Sequence, residues 1–417
     1  MENMILNKMS GGRYGLLGEH LGHSFSPQIH AMLCGYEYKL YEQEREKLPE
    51  FLGDCPLDGM NVTIPYKKDV LPHCAWLSDA VKRIGSANTL VRHSDGWHAY
   101  NTDYFGFRLM VESTGISPAG KKCVILGSGG AMLAVRTALE DMGAAEIVVV
   151  SRGGENNYDN LHLHADAEIV VNATPVGMYP NVGKAAASLD SFPNCQAAFD
   201  IVYNPARTAF IMQAEDKGIV CRSGLYMLVA QAHRAAELFT GTEIPRERIE
   251  EILRVLENQT HNIVLVGMPG CGKSSVGKRL AELCGKSFVD ADEKLLETFG
   301  MSAGDMINTQ GEDYFRRCET EVLSELGKQS GLVIATGGGC VTREENYRHL
   351  HQNGEIFWLR RSLDKLPTEG RPLSQRGSLE AMFEKRAPMY ESFADFIIDN
   401  DSGNIEDSAK AILEALK

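Results

Sequence analysis

The hydrophobic positions of this chain form short apolar runs that end in polar loops and alternate with helical patterns. Runs of four or five residues bounded by turn signals are typical of buried strands in parallel sheets. Such runs lie at Tyr14–Leu17, Met60–Thr63, Lys122–Leu126, Glu146–Val150, Ile169–Asn172, Ala197–Asp200, Ile263–Val266, Ser287–Asp290, Leu332–Ala335 and Ile356–Leu359. The alternation predicts an α/β fold, in which the loops after the strands are expected to carry the chemistry.

Length and patterning predict more than one domain. The chain has 417 residues, 43% of them apolar, which exceeds one ordinary core. The last amphipathic helix of the first part carries Ile249, Ile252 and Leu256, and no linker rich in proline, glycine or serine follows it. We therefore expect a boundary near Asn258–Asn262 and domains at residues 1–258 and 259–417.

Composition limits the kinds of molecule that this chain is expected to bind and the compartment in which it is expected to act. The net charge is −14, and both parts are acidic, which argues against a nucleic-acid surface. No apolar run approaches the roughly 20 residues that cross a bilayer, and the N-terminus lacks a signal-peptide core. The 10 cysteines include no CxxC pair, as expected for reduced thiols. We expect a cytoplasmic protein with no membrane and no nucleic-acid partner.

A phosphate-binding loop follows the apolar run Ile263–Val266. Gly267, four further residues, Gly272, Lys273 and Ser274 form the P-loop pattern, in which backbone N–H groups and a helix N-terminus hold phosphates. Lys273 is expected to reach the β- and γ-phosphates, and Ser274 to bind Mg²⁺. Helical spacing after the loop supplies the required context, which disfavours a chance glycine turn.

Later loops of the second part carry further candidates. Asp290 and Asp292 project from one face, so that one can support Mg²⁺ while the other accepts a substrate hydroxyl proton; a capping or solvated pair is the alternative. Arg316 lies on a helix, where a surface salt bridge is the alternative. Three glycines at 337–339 are costly in entropy and suggest that the backbone approaches a ligand closely.

Loops of the first part also combine polar groups. Ser26 precedes Pro27 and is expected to cap a helix, whereas capping does not explain Ser24, and two such hydroxyls can bind one carboxylate. Lys67 lies just beyond a strand end, with a solvated lysine as the alternative. Asp103 is either a functional carboxylate or a helix N-cap.

A βαβ unit follows from residue 122. Its glycine turn, Gly127-Ser128-Gly129-Gly130-Ala131, departs from the full dinucleotide fingerprint. Ser151-Arg152 stands at the end of the second strand, where an acidic residue would bind the ribose of NAD. The arginine suits the 2′-phosphate of NADP, and a surface loop arginine is the alternative. The segment from there to Ile169 is short for a crossover helix.

Separated motifs in the first part together resemble shikimate dehydrogenase from about Tyr14 to about Gly241. The motifs are His23-Ser-Phe-Ser-Pro27, Asn61–Lys67, Ala87-Asn-Thr89, Asn101-Thr-Asp103, Asn172–Met178 and Met227–Gln231. The resemblance implies a substrate-binding part at about 10–105, a Rossmann NADP part at about 106–225 and closing helices at about 226–258.

The same resemblance implies roles for individual residues. Lys67 and Asp103 would be the catalytic pair, which suits ketone reduction because a lysine held against an aspartate can supply the proton. The implied substrate residues are Ser24 and Ser26 on the carboxylate, Thr63, Asn88, Asp103 and Gln231 on the ring hydroxyls, and Tyr203. The implied NADP residues are Gly127, Ser128, Gly129, Gly130, Ala131, Ser151, Arg152, Thr174 and Gly224.

The second part resembles shikimate kinase from about Asn262 to about Leu416. The implied shikimate residues are Asp292, also the candidate base, Arg316, Gly338, Gly339 and Arg386. The implied ATP residues are Gly267, Gly270, Cys271, Gly272, Lys273, Ser274, Ser275 and Arg371, with Lys273 and Arg371 on the transferring phosphoryl group. Ser274 and, through water, Asp290 would organise Mg²⁺. The segment between Leu359 and Arg371, which corresponds to the lid of the family, is shorter than the family usually has.

The two resemblances support each other because the product of one reaction is the substrate of the other. They predict a bifunctional enzyme that reduces 3-dehydroshikimate with NADPH and phosphorylates shikimate with ATP and Mg²⁺. One alternative keeps the fold but uses quinate and NAD, fused to a small-molecule kinase. Another is a binding module without turnover, which the complete sets of catalytic residues disfavour. We expect a monomer or a homodimer.

Overall fold

The computed structural model describes residues 12–22, 24–366 and 379–416. His23 and Arg371, both named above, lie outside the described residues. The described chain groups into two compact units. The first contains the residues up to Met178, Lys184–Asn204 and Phe210–Val255, and the second contains Tyr179–Gly183, Pro205–Ala209 and the residues from Leu256 onward.

A mixed sheet forms the N-terminal part of the first unit. Its order is β2-β1-β3-β5-β6-β4, and β5 runs antiparallel to both β3 and β6, whereas the other pairs are parallel. The core on one face of this sheet contains the buried side chains of Leu17, Met60, Leu90 and Trp97. The strands are β1 Arg13–Gly18, β2 Glu37–Glu42, β3 Gly59–Val62, β4 Cys74–Leu77, β5 Thr89–His93 and β6 Gly96–Tyr100.

A parallel sheet in the order β11-β10-β9-β7-β8 forms the rest of the first unit. Its central strand β9 is buried at every residue, as expected for a strand covered on both faces. Between β8 and β9 the described chain forms only a 3₁₀ turn at Leu161–His164, in line with the short segment noted in the sequence. The strands are β7 Lys122–Leu126, β8 Glu146–Val150, β9 Ile169–Asn172, β10 Ala197–Asp200 and β11 Val220–Arg222.

Helices alternate with the strands of these two sheets along the chain. The helix opened by Leu225 ends at Gly241, which takes the left-handed conformation that terminates many helices (φ 63°). The helices are α1 Ser26–Leu33, α2 Leu48–Asp54, α3 Asp79–Ile84, α4 Thr102–Glu112, α5 Gly130–Asp141, α6 Ala209–Asp216, α7 Leu225–Thr240 and α8 Glu247–Thr260.

The second unit is built on one parallel sheet in the order β13-β14-β12-β15-β16. The P-loop joins the central strand β12 to the next helix. The strands are β12 Asn262–Val266, β13 Ser287–Asp290, β14 Leu332–Ala335, β15 Gly354–Arg360 and β16 Phe396–Asp399. The helices are α9 Lys273–Cys284, α10 Ala291–Phe299, α11 Ala303–Gln310, α12 Glu312–Lys328, α13 Glu345–His351, α14 Leu379–Phe393 and α15 Ile405–Ala415.

The predicted α/β class with parallel sheets is confirmed. Within the described residues, no helix combines the length and the apolar character that a membrane span requires.

Candidate active sites

A lysine and a carboxylate meet in the first unit. Lys67, beyond the end of β3, donates a hydrogen bond from Nζ to Asp103 Oδ2 at 2.6 Å, and both side chains are largely shielded from solvent. Asp103 is not the N-cap of α4, because the side-chain oxygen of Asn101 accepts the Tyr104 N–H at 3.2 Å. The capping alternative for Asp103 is therefore wrong. The pair can hold and pass a proton to a neighbouring oxygen.

Beside this pair, a buried polar network links predicted substrate residues. Asn88 accepts the Thr102 N–H at 2.6 Å and donates to the Thr102 hydroxyl at 3.0 Å and to Gln231 Oε1 at 3.5 Å. The Thr102 hydroxyl also lies 3.2 Å from Gln231 Oε1. Thr102 is 1% exposed and precedes Asp103, but our sequence analysis omitted it from the site. Its place directly before Asp103 in the Asn101–Asp103 motif was the available signal.

The side chain of Ser24 contacts the backbone of Ser26. Ser24 Oγ accepts the Ser26 N–H at 3.2 Å, and helix α1 already includes Ser26. The expectation that Ser26 caps this helix is therefore wrong, because the N-cap position belongs to Phe25. The Tyr203 ring packs edge-on against Phe25 with centroids 6.1 Å apart, which brings Tyr203 beside the two serines. Thr63 accepts the Tyr66 N–H at 3.0 Å in the turn that carries Lys67.

The glycine turn of the βαβ unit lies against the next strand. The Gly127 N–H donates to Val150 O at 2.7 Å, so the turn adjoins the end of β8, where Ser151 and Arg152 follow. Arg152 is exposed. Gly127 has φ 105°, and a Cβ there would come within 2.6 Å of Thr174 Cγ2. The predicted cofactor residues after β7, β8 and β9 therefore lie along one edge of the parallel sheet.

The backbone of the glycine turn is open at this edge. A Cβ added at Gly129 or Gly130 would meet no other atom, so the backbone there is open to close approach by a pyrophosphate at the N-terminus of α5, which Ser128 and Ala131 flank. Thr174 Oγ1 donates to Asn172 Oδ1 at 2.7 Å, which fixes the loop after β9. Gly224 permits the close approach of α7, because a Cβ would lie 2.1 Å from Ile201 O.

In the second unit, a cavity of about 520 Å³ opens between the P-loop and the ends of β13 and β14. Predicted residues that line it are Gly270, Gly272, Lys273, Ser274, Ser275, Asp290, Asp292, Arg316, Gly338, Gly339 and Arg386. Cys271 is fully buried, and its carbonyl accepts Asn400 Nδ2 at 2.7 Å, so it supports the loop from behind.

The P-loop side chains contact the loop itself and β13. Lys273 Nζ donates to the carbonyls of Gly267 at 2.9 Å and Met268 at 3.1 Å. The Ser274 hydroxyl donates to Asp290 Oδ2 at 2.6 Å, while Asp290 Oδ1 accepts the Asp292 N–H at 3.0 Å. Asp290 therefore caps α10 and also faces Ser274. A hydroxyl and a carboxylate at this distance are oxygen donors of the kind Mg²⁺ binds.

Arg316 is held by a carboxylate that our sequence analysis missed. Its Nη1 donates to Glu319 Oε2 at 2.6 Å, and the two residues are 5% and 3% exposed, so the expected surface salt bridge is wrong. Burial opposes the charge on Arg316, but Glu319 outweighs it and raises the pKa of the guanidinium. Burial also raises the pKa of Glu319, against the effect of Arg316. The i, i+3 spacing on α12 was the sequence signal for this pair.

The three glycines pack against the protein's own groups. A Cβ at Gly339 would come within 2.1 Å of Arg316 Nη2, and one at Gly338 within 2.7 Å of Pro269. Arg386 Nη1 donates to Gly338 O at 3.1 Å and thereby reaches the same loop. The backbone is thus brought beside two cationic side chains, where an anionic group can bind.

Known protein families match the first and second parts of the chain separately. The shikimate dehydrogenase substrate binding domain matches residues 16–90, and the shikimate 5'-dehydrogenase C-terminal domain matches residues 224–254. The shikimate kinase family matches residues 269–417.

Individual relatives agree. The chain is 35% identical over 265 residues to shikimate dehydrogenase (NADP(+)) of Clostridium perfringens, covering 58% of this chain and 98% of the relative. The crystal structure of a chorismate mutase/shikimate 5-dehydrogenase fusion protein from Clostridium acetobutylicum has a TM-score of 0.56 at 35% identity, covering 59% of this chain and 97% of that one. Shikimate 5-dehydrogenase from Thermus thermophilus, solved with NADP(H) and shikimate, has a TM-score of 0.54 at 31% identity, covering 58% and 98%. The chain therefore belongs to the shikimate dehydrogenase family and carries a shikimate kinase domain fused behind it.

Proposed function

We propose that this chain reduces 3-dehydroshikimate to shikimate with NADPH and then phosphorylates shikimate with ATP to give shikimate 3-phosphate. The families make the chain an oxidoreductase and a phosphotransferase that uses NADP(H) and Mg²⁺ with ATP. We assign the dehydrogenase to residues 1–258 and the kinase to residues 259–417, acting in the cytoplasm on small molecules.

The observation that carries the first reaction is the contact of 2.6 Å between Lys67 and Asp103. NADPH supplies the hydride. Lys67 polarises the ketone oxygen and donates a proton to it. Asp103 orients the ammonium group of Lys67 and accepts a hydrogen bond from a substrate hydroxyl. Asn88 and Gln231 bind further ring hydroxyls, and Ser24 and Ser26 bind the carboxylate. Arg152 binds the 2′-phosphate, which favours NADP over NAD.

The observation that carries the second reaction is the cavity shared by the P-loop and Asp292. Mg²⁺ neutralises charge on the nucleotide phosphates. Ser274 and Asp290 hold the metal and its water, and Lys273 turns from its carbonyl contacts to the phosphates. Asp292 takes the proton of the attacking hydroxyl, while Arg316 and Arg386 bind the carboxylate.

Separate initial-rate assays test this assignment. We expect kcat/KM for shikimate with NADP to exceed that for quinate with NAD, and ADP release to depend on shikimate. A higher kcat/KM with quinate and NAD would overturn the first half. ADP release without any dependence on shikimate would overturn the second.

A further inference from the structure

An arginine in the second unit lines the cavity but has no role in the functions assigned above. Arg361 directly follows β15, is partly buried, and faces the cavity together with Lys273 and Ser274. Its neighbour Arg360 is different, because Arg360 is more exposed and pairs with Asp399 through contacts of 2.7 and 3.0 Å. Two adjacent arginines thus have separate environments.

The position of Arg361 relative to β12 places it on the nucleotide side of the cavity. Asp292, Gly338 and Gly339, which are assigned to shikimate, follow β13 and β14 on one side of β12. Arg361 follows β15, on the opposite side.

The P-loop packs directly against that opposite side. A Cβ at Gly272 would lie 3.0 Å from Asn400 Nδ2 and 3.9 Å from Leu359 Cδ2. A Cβ at Gly403 would lie 3.1 Å from Arg361 Nη2, so the guanidinium rests on the loop after β16. Arg361 therefore lies beside the P-loop and opposite the shikimate side.

The hydrogen bonding of Arg361 is incomplete. Its Nε is buried and has no partner among the described residues, a costly arrangement for a donor. The nearby Asp401 accepts the Ser362 hydroxyl at 2.6 Å and the Ser362 N–H at 2.7 Å, and these two hydrogen bonds, more than the charge of Arg361, lower its pKa. A phosphate oxygen in the cavity would pair with the charge of the guanidinium, whereas a base stacked on it would leave that charge without an anion.

We propose that Arg361 is a nucleotide-binding residue, whose guanidinium binds a phosphate oxygen of ATP from the β15 side of the P-loop. The proposal rests on the assigned kinase function. It adds a cation after β15, whereas Asp292, Gly338 and Gly339 follow β13 and β14.

The test compares Arg361→Met with Arg360→Met, which removes the adjacent arginine outside the cavity. Binding of MgADP and of adenosine is measured by calorimetry on the full chain, together with KM for ATP and for shikimate. For Arg361→Met we expect KM for ATP and the Kd for MgADP to rise about tenfold or more, as for loss of a charged hydrogen bond. Adenosine binding and KM for shikimate should change less than twofold, and Arg360→Met should resemble the wild type.

The outcomes separate this inference from the assigned function. Unchanged MgADP binding in Arg361→Met, or an equal loss of adenosine binding, overturns the phosphate contact. A wild type that binds MgADP but does not phosphorylate shikimate overturns the assigned reaction alone. Dehydrogenase activity reports folding of the first unit. If the second unit of Arg361→Met is damaged, Arg361→Lys, which keeps the charge but loses the guanidinium group, replaces it in the test. Its Kd for MgADP should lie between that of the wild type and a tenfold higher value.

Discussion

In the proposed reaction, the contact between Lys67 and Asp103 combines proton supply with orientation. The carboxylate fixes Nζ at 2.6 Å, and neither side chain exceeds 27% exposure, so water competes weakly for either group. Asn101 caps the helix that carries Asp103 and thereby leaves this carboxylate for Lys67. The geometry of the Lys67–Asp103 pair therefore depends on a residue outside the pair.

Replacing Lys67 by Met tests the proton donor at the residue scale. We expect dehydrogenase kcat to fall by about 10²- to 10⁴-fold, the usual contribution of a positioned acid or base. The shikimate-dependent release of ADP should stay within twofold of the wild type, which controls for folding of the second unit. An unchanged rate of NADPH oxidation would remove Lys67 from the mechanism.

A buried histidine makes stability depend on pH. His30 is fully buried, its Nδ1 lies 2.6 Å from the Tyr36 hydroxyl, and its Nε2 has no partner in the described part of the chain. Burial lowers the pKa of His30 to about 3. The unfolded chain, with a histidine pKa of about 6.5, binds this proton at higher pH than the folded chain does.

The stability contributed by neutral His30 is therefore fully present above pH of about 6.5 and is lost as the pH falls toward about 3. Between pH 6 and 4.5, we expect the free energy of unfolding of the first unit to fall by up to about 1.4 kcal/mol per pH unit more in the wild type than in His30→Gln. Urea unfolding at several pH values measures the two slopes. Parallel slopes would show that His30 does not titrate this way.

At the scale of elements, the strands followed by polar loops could be predicted from the sequence. β7, β9, β12 and β14 are apolar runs buried throughout or nearly so, and their pattern suffices to identify them. The edge strand β2 is largely exposed and offers no such run. Its assignment depends on pairing with β1, which is contact information that local patterning lacks.

Side-chain roles within the elements were less predictable. The Ser24 hydroxyl accepts the Ser26 N–H, although Ser26-Pro27 reads locally as a cap followed by the first helical residue. The Ser26 hydroxyl instead lies beside Tyr38, from a strand 12 positions away. Glu319 was missed for a related reason, because a carboxylate near an arginine on a helix usually forms a surface pair. Here Glu319 is 3% exposed and lies against the glycine loop after β14, where a Cβ at Gly337 would come within 2.5 Å of its Oε1.

Helix capping provides a test at the element scale. Asn101 is 6% exposed, accepts the Tyr104 N–H and donates to Ser86 O at 3.0 Å. Asn101→Ala should lower the free energy of unfolding of the first unit by about 1–2 kcal/mol. It should also reduce dehydrogenase kcat through displacement of Asp103, without changing ADP release.

The matched control is Ser302→Ala, which removes an exposed cap of α11 that accepts the Asp305 N–H at 3.2 Å. This change should affect the second unit by about 1 kcal/mol or less and leave dehydrogenase activity intact. If Asn101→Ala left both stability and dehydrogenase kcat unchanged, Asn101 would have no role in holding Asp103.

At the scale of the whole molecule, two units with separate sheets carry different sets of polar groups. The first unit combines Lys67 and Asp103 with a glycine turn at a parallel sheet edge, and the second combines a P-loop with Asp292 and buried arginines. In the proposed function the two activities are connected chemically, because the first product is the second substrate.

The most direct measurement follows both reactions in one vessel that contains the protein, 3-dehydroshikimate, NADPH and Mg²⁺. The account predicts a fall in NADPH absorbance and, once ATP is added, release of ADP in an amount that approaches the NADPH consumed. With Lys67→Met in place of the wild type, ADP release should require added shikimate. Constant NADPH absorbance, or ADP release that is independent of 3-dehydroshikimate, would contradict the account.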